Sequence, residues 1–337
     1  MTFADRAALL RLSAKILISA MSFGSPRSLT KTRSRIAVGR RCVNYGGMNL
    51  SQNMLGALLM VASMVSFTMN DVFIKLTNGA IPLAQLLTIR GAIAVALFVP
   101  LAVSLRGLKF DLGARAWRLI ALRAVAETAT AYFFLTALLN MPLANVTAIM
   151  QALPLTVALG ALVFFRDPIG WRRMLAILVG LIGVLIVLRP GPDGFSVWSI
   201  YVIIAVICVT ARDLITRKMP DHVPSMTVAV ANTINITLFF GLLSLTETWA
   251  PLTPQLWFYV VGSAVFIIGG YLFSVQVMRV GEMSFVAPFR YSGLIAALIL
   301  GYFVFDDWPD RWTLAGAGIV VAAGLFTLWR ERKVWAD

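Results

Sequence analysis

Histidine occurs once in the 337 residues and cysteine twice. His222 lies in a polar stretch between Pro220 and Pro224 and reads as a loop residue, so no Ser-His-Asp triad can be assembled around it. Cys42 sits in a basic tail and Cys208 in an apolar run, with no CxxC and no Cys/His cluster suited to zinc. A Gly-rich phosphate loop is absent as well. Catalysis has little to stand on, and no cofactor or metal is expected. Charge is scarce too: 13% of residues are charged, against about 25% in a soluble domain. Hydrophobic residues make up 59%, against roughly 45–50%. That balance excludes a soluble globular enzyme, a disordered chain and a coiled coil.

What the chain has is long apolar runs. A spanning helix needs roughly 20 apolar residues to cross a hydrocarbon core about 30 Å thick. Ten such runs can be read, at 54–75, 84–104, 117–138, 143–164, 172–189, 196–217, 225–246, 256–277, 283–304 and 313–330. Pro, Gly, Asn or charge breaks the chain between them. The gaps are too short for a soluble domain, and the alternating ten-residue segments of a β-barrel are missing. The fold class expected is an all-α polytopic membrane protein with ten transmembrane helices.

The net charge of +14 would suggest nucleic acid in a soluble protein. Here it has a topological reading, since cytoplasmic loops retain Lys and Arg. With the N-terminus inside, the inside segments hold 22 basic residues and the outside ends only Lys75, Arg189 and Arg311. Both termini are therefore expected in the cytoplasm. All nine Trp lie at or just beyond the ends of runs, as an interfacial belt requires. Residues 1–47 carry nine of the bases and one acid, so the remainder of the chain has a net charge of +6. That tail reads as a disordered basic segment or an over-extended start ahead of Met48.

The two halves repeat. At an offset of 142, Thr68, Asp71 and Lys75 fall on Thr210, Asp213 and Arg217; at 141, Gly160, Phe164, Pro168 and Trp171 fall on Gly301, Phe305, Pro309 and Trp312. The rare Asp, Pro and Trp carry this more than the apolar matches. Two repeats of five spans, 54–189 and 196–330, must have opposite orientations because five is odd. Such inverted repeats characterise secondary transporters, with substrate held near the midplane between the halves.

Three motifs carry a family resemblance: Pro142-Leu143-Ala144-Asn145, Gln151-Ala152-Leu153-Pro154 and Ala287-Pro288-Phe289-Arg290-Tyr291. With the two five-span repeats, they resemble the EamA group of the drug/metabolite transporter superfamily over residues 54–330. Asn70-Asp71 and Asp307-Trp308-Pro309-Asp310 add a likeness to its S-adenosylmethionine-uptake members; others of the group export amino acids and related metabolites. The resemblance implies a permease in a bacterial inner membrane that moves a small-molecule metabolite by alternating access. Nothing resembles an ATP-binding loop, so coupling to protons or to an exchanged substrate is expected. A homodimer is left open, and nucleic acid is not a partner.

Ionisable side chains inside a bilayer cost about 2.5–3.5 kcal/mol each and should face a partner or a cavity. Arg290 lies about 12 Å into the ninth run at 1.5 Å per residue, too deep for easy snorkelling. Pro288 and Pro154 remove backbone hydrogen bonds and break their helices, which is tolerated where backbone lines a cavity. The expected substrate cavity is lined by Arg290, Tyr291, Gln151, Glu127, Asp71 and Arg90, with Arg290 holding a carboxylate or phosphate. The alternative pairs Arg290 structurally with Glu127 or Asp71. Asp71/Lys75 and Asp213/Arg217 are i,i+4 pairs, read either as interfacial ion pairs or as outer and inner gates. Asp71 could also attract a cationic substrate or pair with Arg90. Glu127, one turn below Arg123, is either a proton carrier or a structural acid. The many small residues in the spans, Gly183, Gly316 and Gly318 among them, are expected to serve helix packing. Two competing classes, a lipid-handling protein and a passive scaffold, lack respectively a reactive set and a reason for charges at paired positions.

Overall fold

The computed structural model describes residues 42–45, 48–104, 108–166, 170–188, 196–220, 222–280 and 283–336. The chain forms two units, Met1–Ser51 and Gln52–Asp337. In the first, β1 (Cys42–Tyr45) pairs antiparallel with β2 (Met48–Ser51), Tyr45 opposite Met48. Residues 1–41, to which most of the reading of the basic tail refers, lie outside the described residues.

The second unit is helical. Its elements are α1 (Gln52–Lys75), α2 (Leu83–Ser104), α3 (Gly113–Asn140), α4 (Leu143–Met150), α5 (Leu153–Phe165) and α6 (Trp171–Leu188). There follow α7 (Val197–Arg217), α8 (Ser225–Ser244), α9 (Pro254–Val280), α10 (Met283–Val286), a 3₁₀ turn (Ala287–Tyr291), α11 (Ser292–Phe305) and α12 (Arg311–Ala336). Among the described residues nine helical stretches are long and apolar enough to cross a bilayer, and a shorter apolar helix over Met174–Leu188 supplies the tenth span. Helix ends follow local chemistry. The Ser196 hydroxyl accepts the Trp198 N–H at 3.2 Å, and the Asp310 carboxylate accepts the Thr313 N–H at 2.9 Å. The chain leaves α5 and α11 through left-handed residues, Arg166 and Asp306, each at φ 57°.

Two spans are broken. The fourth turns at Gln151–Ala152 between α4 and α5, with Pro154 in the first turn of α5. In the ninth, Pro288 sits in the 3₁₀ turn between α10 and α11. Proline lacks the N–H that a continuous helix would need there.

Most spans are apolar all round, with Leu, Ile, Val and Phe side chains exposed on their outer faces, as expected of a lipid-facing surface. Packing obeys a two-fold relation. The main partners are α1 with α9, α3 with α7, α2 with α8 and α6 with α12. Advancing every span by five exchanges the first two pairs and returns each of the last two to itself. This is the inverted repeat expressed in packing. The duplicated register needs one adjustment. Phe165 and Phe305 each immediately precede the left-handed residue, so these span ends correspond at an offset of 140, and Phe165, not the exposed Phe164, is the counterpart of Phe305.

Close approach depends on glycine at the α6–α12 crossing. A Cβ at Gly316 would lie 2.6 Å from the Gly183 carbonyl oxygen, and one at Gly183 would lie 2.9 Å from that of Gly316. Gly318 has nothing within 4 Å of such an atom, so for it the packing role does not hold. Gly316→Ala should lower stability by roughly 1–3 kcal/mol, whereas Gly318→Ala should be neutral or slightly stabilising through better helix propensity. Thermal melts of the two variants in detergent check the contrast.

Candidate functional site

The spans bring seven charged residues to one interior region: Asp71 on α1, Arg90 on α2, Arg123 and Glu127 on α3, Arg212 and Asp213 on α7, and Arg290 on the 3₁₀ turn. Glu127 is its most heavily engaged member. Arg212 Nη1 lies 3.2 Å from both carboxylate oxygens, Arg123 Nη2 lies 3.8 Å from Oε2, and the Tyr271 hydroxyl donates to Oε1 at 3.5 Å. Arg212 also donates through Nε and Nη2 to Asp213 Oδ1 at 2.9 Å. Tyr271 on α9 is held edge-on by Phe67, with centroids 5.5 Å apart. Three spans from both repeats thus meet on one carboxylate.

A second arrangement lies on α1 and α2. Arg90 Nη1 donates to Asn70 Oδ1 at 3.1 Å, and Asn70 Nδ2 donates to Asp71 Oδ1 at 2.9 Å. Asn70-Asp71 and Arg212-Asp213 occupy equivalent positions at the offset of 142, each acid accepting from its preceding neighbour. Hydroxyls stitch the broken spans to their partners in the same symmetric way. Thr68 Oγ1 donates to the Gly293 carbonyl at 3.4 Å, and Thr210 Oγ1 meets Thr156 Oγ1 at 2.7 Å.

Several expected pairings are absent. Lys75 does not bridge to Asp71; its ammonium donates to the Leu138 and Met141 carbonyls and lies 5.4 Å from the Phe305 ring centre. The last carbonyls of a helix have no intrahelical partner and attract a cation, and α3 ends beside Lys75. Asp213 pairs with Arg212 instead of Arg217, whose guanidinium lies over Phe165 at 4.8 Å. Arg90 bonds Asn70 and acts on Asp71 only through space. Neither Glu127 nor Asp71 pairs with Arg290. The Tyr291 hydroxyl is buried without a hydrogen-bond partner and points at Gly324 of α12, where a Cβ would collide with it, so it packs between helices. The Gln151 side-chain amide sits beside Gly293, within 3.9 Å of where a Cβ would stand, at the meeting of the two helix breaks.

Arg212 and Tyr271 were not anticipated from sequence. The signal for Arg212 was present: it stands next to Asp213, in the slot equivalent to Asn70. Tyr271 carried none, because a tyrosine in an apolar run is indistinguishable from packing until its neighbours are known.

The group contains three acids and four bases, a surplus of one positive charge. Among the described residues Arg290 is the base that makes neither a hydrogen bond nor an ion pair; Asp213 attracts it and Arg212 repels it through space. Among the described residues no three His, Cys, Asp or Glu side chains converge to hold a metal. An apolar groove between α6 and α12, lined by Trp171, Leu175, Val179 and Phe326, shares no residue with the polar group.

Comparison with known proteins agrees with this architecture. The model of the EamA-like transporter family matches residues 54–189 and 196–329. The chain belongs to that family. Its two matched segments are the two repeats. An S-adenosylmethionine uptake transporter of Rickettsia felis is 26% identical over 200 residues, 57% of this chain and 65% of that protein. A riboflavin transporter of Vibrio cholerae is 28% identical over 195 residues, again 57% and 65%. The chain thus spans just under two-thirds of the length of these relatives. The pseudopaline exporter CntI of Pseudomonas aeruginosa is 22% identical over 286 residues, covering 82% of this chain and 97% of that protein. A solved crystal structure aligns with a TM-score of 0.59 at 15% identity, over 83% of this chain and 99% of the other. That likeness establishes the shared fold of this EamA member.

Breaking the central pair should be costly. Arg212→Ala leaves the Glu127 carboxylate short of its main partner and should cost roughly 3–5 kcal/mol. Adding Glu127→Ala should return much of that loss, giving a coupling well above the cutoff for independent sites. Melting temperatures of the two single variants and the double variant check it.

Proposed function

We propose that this EamA-family protein is a secondary carrier that moves a small polar metabolite, an amino acid or a derivative of one, across a bacterial inner membrane by alternating access. The observation that carries the substrate class is Arg290. It is a base at membrane depth, in a broken span, with no bonded partner among the described residues and within a group already one charge positive. A guanidinium in that state offers forked donors to a carboxylate or phosphate, and entry of an anionic group would neutralise the surplus. Gln151, whose amide lies beside Gly293 where the two helix breaks meet, is assigned a hydrogen bond to the same substrate. Asp71 and Arg90 form the other polar wall, with Asp71 placed to face a cationic group on the same substrate. Tyr291 shapes the wall by packing against α12.

Glu127 takes the structural role. Its carboxylate accepts from Arg212 and Tyr271 and so ties the third, sixth and eighth spans together. Coupling is assigned to a gradient or an exchanged substrate. The excess of 22 basic residues over 3 supports cytoplasmic termini. A lipid-handling protein or scaffold would have no use for an uncompensated arginine in a broken span.

Purified protein in proteoliposomes should show gradient-driven or exchange flux of a labelled zwitterionic metabolite. S-adenosylmethionine is the first compound to try, because relatives named for its uptake match this chain. Arg290→Ala should remain inserted and folded while losing about 10–100-fold in uptake efficiency, the equivalent of one charge-assisted hydrogen bond of about 1.5–3 kcal/mol. Arg290→Lys should retain part of it. Unchanged uptake in Arg290→Ala would remove Arg290 from the site.

A further inference from the structure

We propose that Phe305 with Lys75, and Phe165 with Arg217, are the two latches that close the carrier at opposite membrane faces. The proposal rests on the carrier reading above and adds residues that reading does not use. Lys75 ends α1, the first span, and its ammonium lies 5.4 Å from the centre of Phe305, the last residue of the ninth span. Arg217 ends α7, the sixth span, and lies 4.8 Å from the centre of Phe165, the last residue of the fourth. Lys218 lies 5.4 Å from the same ring. The two contacts are images of each other under the repeat, since Lys75 maps to Arg217 at 142 and Phe305 to Phe165 at 140.

Three features make these contacts more than ordinary interfacial packing. Each joins one repeat to the other: the first and ninth spans belong to different halves, as do the sixth and fourth. Odd and even spans run in opposite directions, so the two contacts lie at opposite ends of the molecule. Each aromatic is also fixed by the same device, a left-handed residue that stops the helix directly after the ring: Asp306 follows Phe305, and Arg166 follows Phe165. Lys75 gathers a third span as well, through the carbonyls of Leu138 and Met141 at the end of α3.

Alternating access moves one half against the other about a central site. A contact that crosses the halves at one face must open when that face opens. Two equivalent contacts at opposite faces then open in turn. Cation–aromatic attraction suits this task, because it is strong enough to hold a closed end and weak enough to release.

The test uses the full chain with Cys42→Ser and Cys208→Ser, a single reporter Gln151→Cys, and a membrane-impermeant thiol reagent added to one side or the other of oriented vesicles. Phe305→Leu should raise labelling from the Lys75 side roughly three- to tenfold and lower it from the opposite side, a population shift within reach of one cation–aromatic contact. Phe165→Leu should do the reverse. Phe305→Trp and Phe165→Trp, which keep an aromatic face, should label like the parent. Lys75→Gln and Arg217→Gln test the same contacts from the cationic side and replace either leucine variant that fails to fold. Labelling that shifts toward the same side in both variants, or in neither, overturns the latches. Flux through the otherwise native protein is measured in parallel, so loss of the carrier reading would show as absent flux there and not as a failure of sidedness.

Discussion

Polar groups inside a bilayer have no water to fall back on, and in this protein that constraint converges on Glu127. Arg212, Arg123 and Tyr271 reach it from three directions, and Arg212 holds Asp213 with its remaining donors. The low dielectric that makes each charge costly also makes the assembled group strong. Because the partners come from the third, sixth and eighth spans, satisfying one carboxylate fixes how the two repeats meet. Apolar side chains facing lipid cannot do that, since they gain nothing by choosing one helix neighbour over another.

Duplication supplied two copies of this arrangement, and their differences are as informative as their likeness. Asn70 stands where Arg212 stands in the second repeat, so the first copy carries an amide beside Asp71 and the second a guanidinium beside Asp213. Arg90 of α2 corresponds at the same offset to Asn232 of α8, whose side-chain oxygen is buried without a partner. The first repeat thus places its base on the second span, and the other repeat places its base on the first span of its own half. Arg290, on the turn that interrupts the ninth span, is left over. The scaffold is symmetric, but the charges placed on it are not.

Span number, span positions and the inverted repeat could be read from the chain because they depend on one-dimensional quantities: the length of an apolar run, the parity of five, and the recurrence of rare residues such as Asp, Pro and Trp. The breaks at Gln151 and Ala287–Tyr291 were readable for the same reason, since proline acts on its own backbone. Single-helix spacing misled elsewhere. Asp71 and Lys75 are four residues apart on one helix face, yet Lys75 turns to the end of α3 and the Phe305 ring. Asp213 likewise chooses its immediate neighbour over Arg217.

Ten apolar spans in an inverted repeat, with a few charges inside them, follow from the order of residues along the chain. Which of those charges meet depends on packing between helices. A side chain within a membrane selects its partner from whatever the neighbouring helices present, and an i,i+4 pair on one helix is a single candidate among them. The partnerless state of Arg290 among the described residues is of the same kind: it depends on what every surrounding span does not offer, and no pattern along one chain records that.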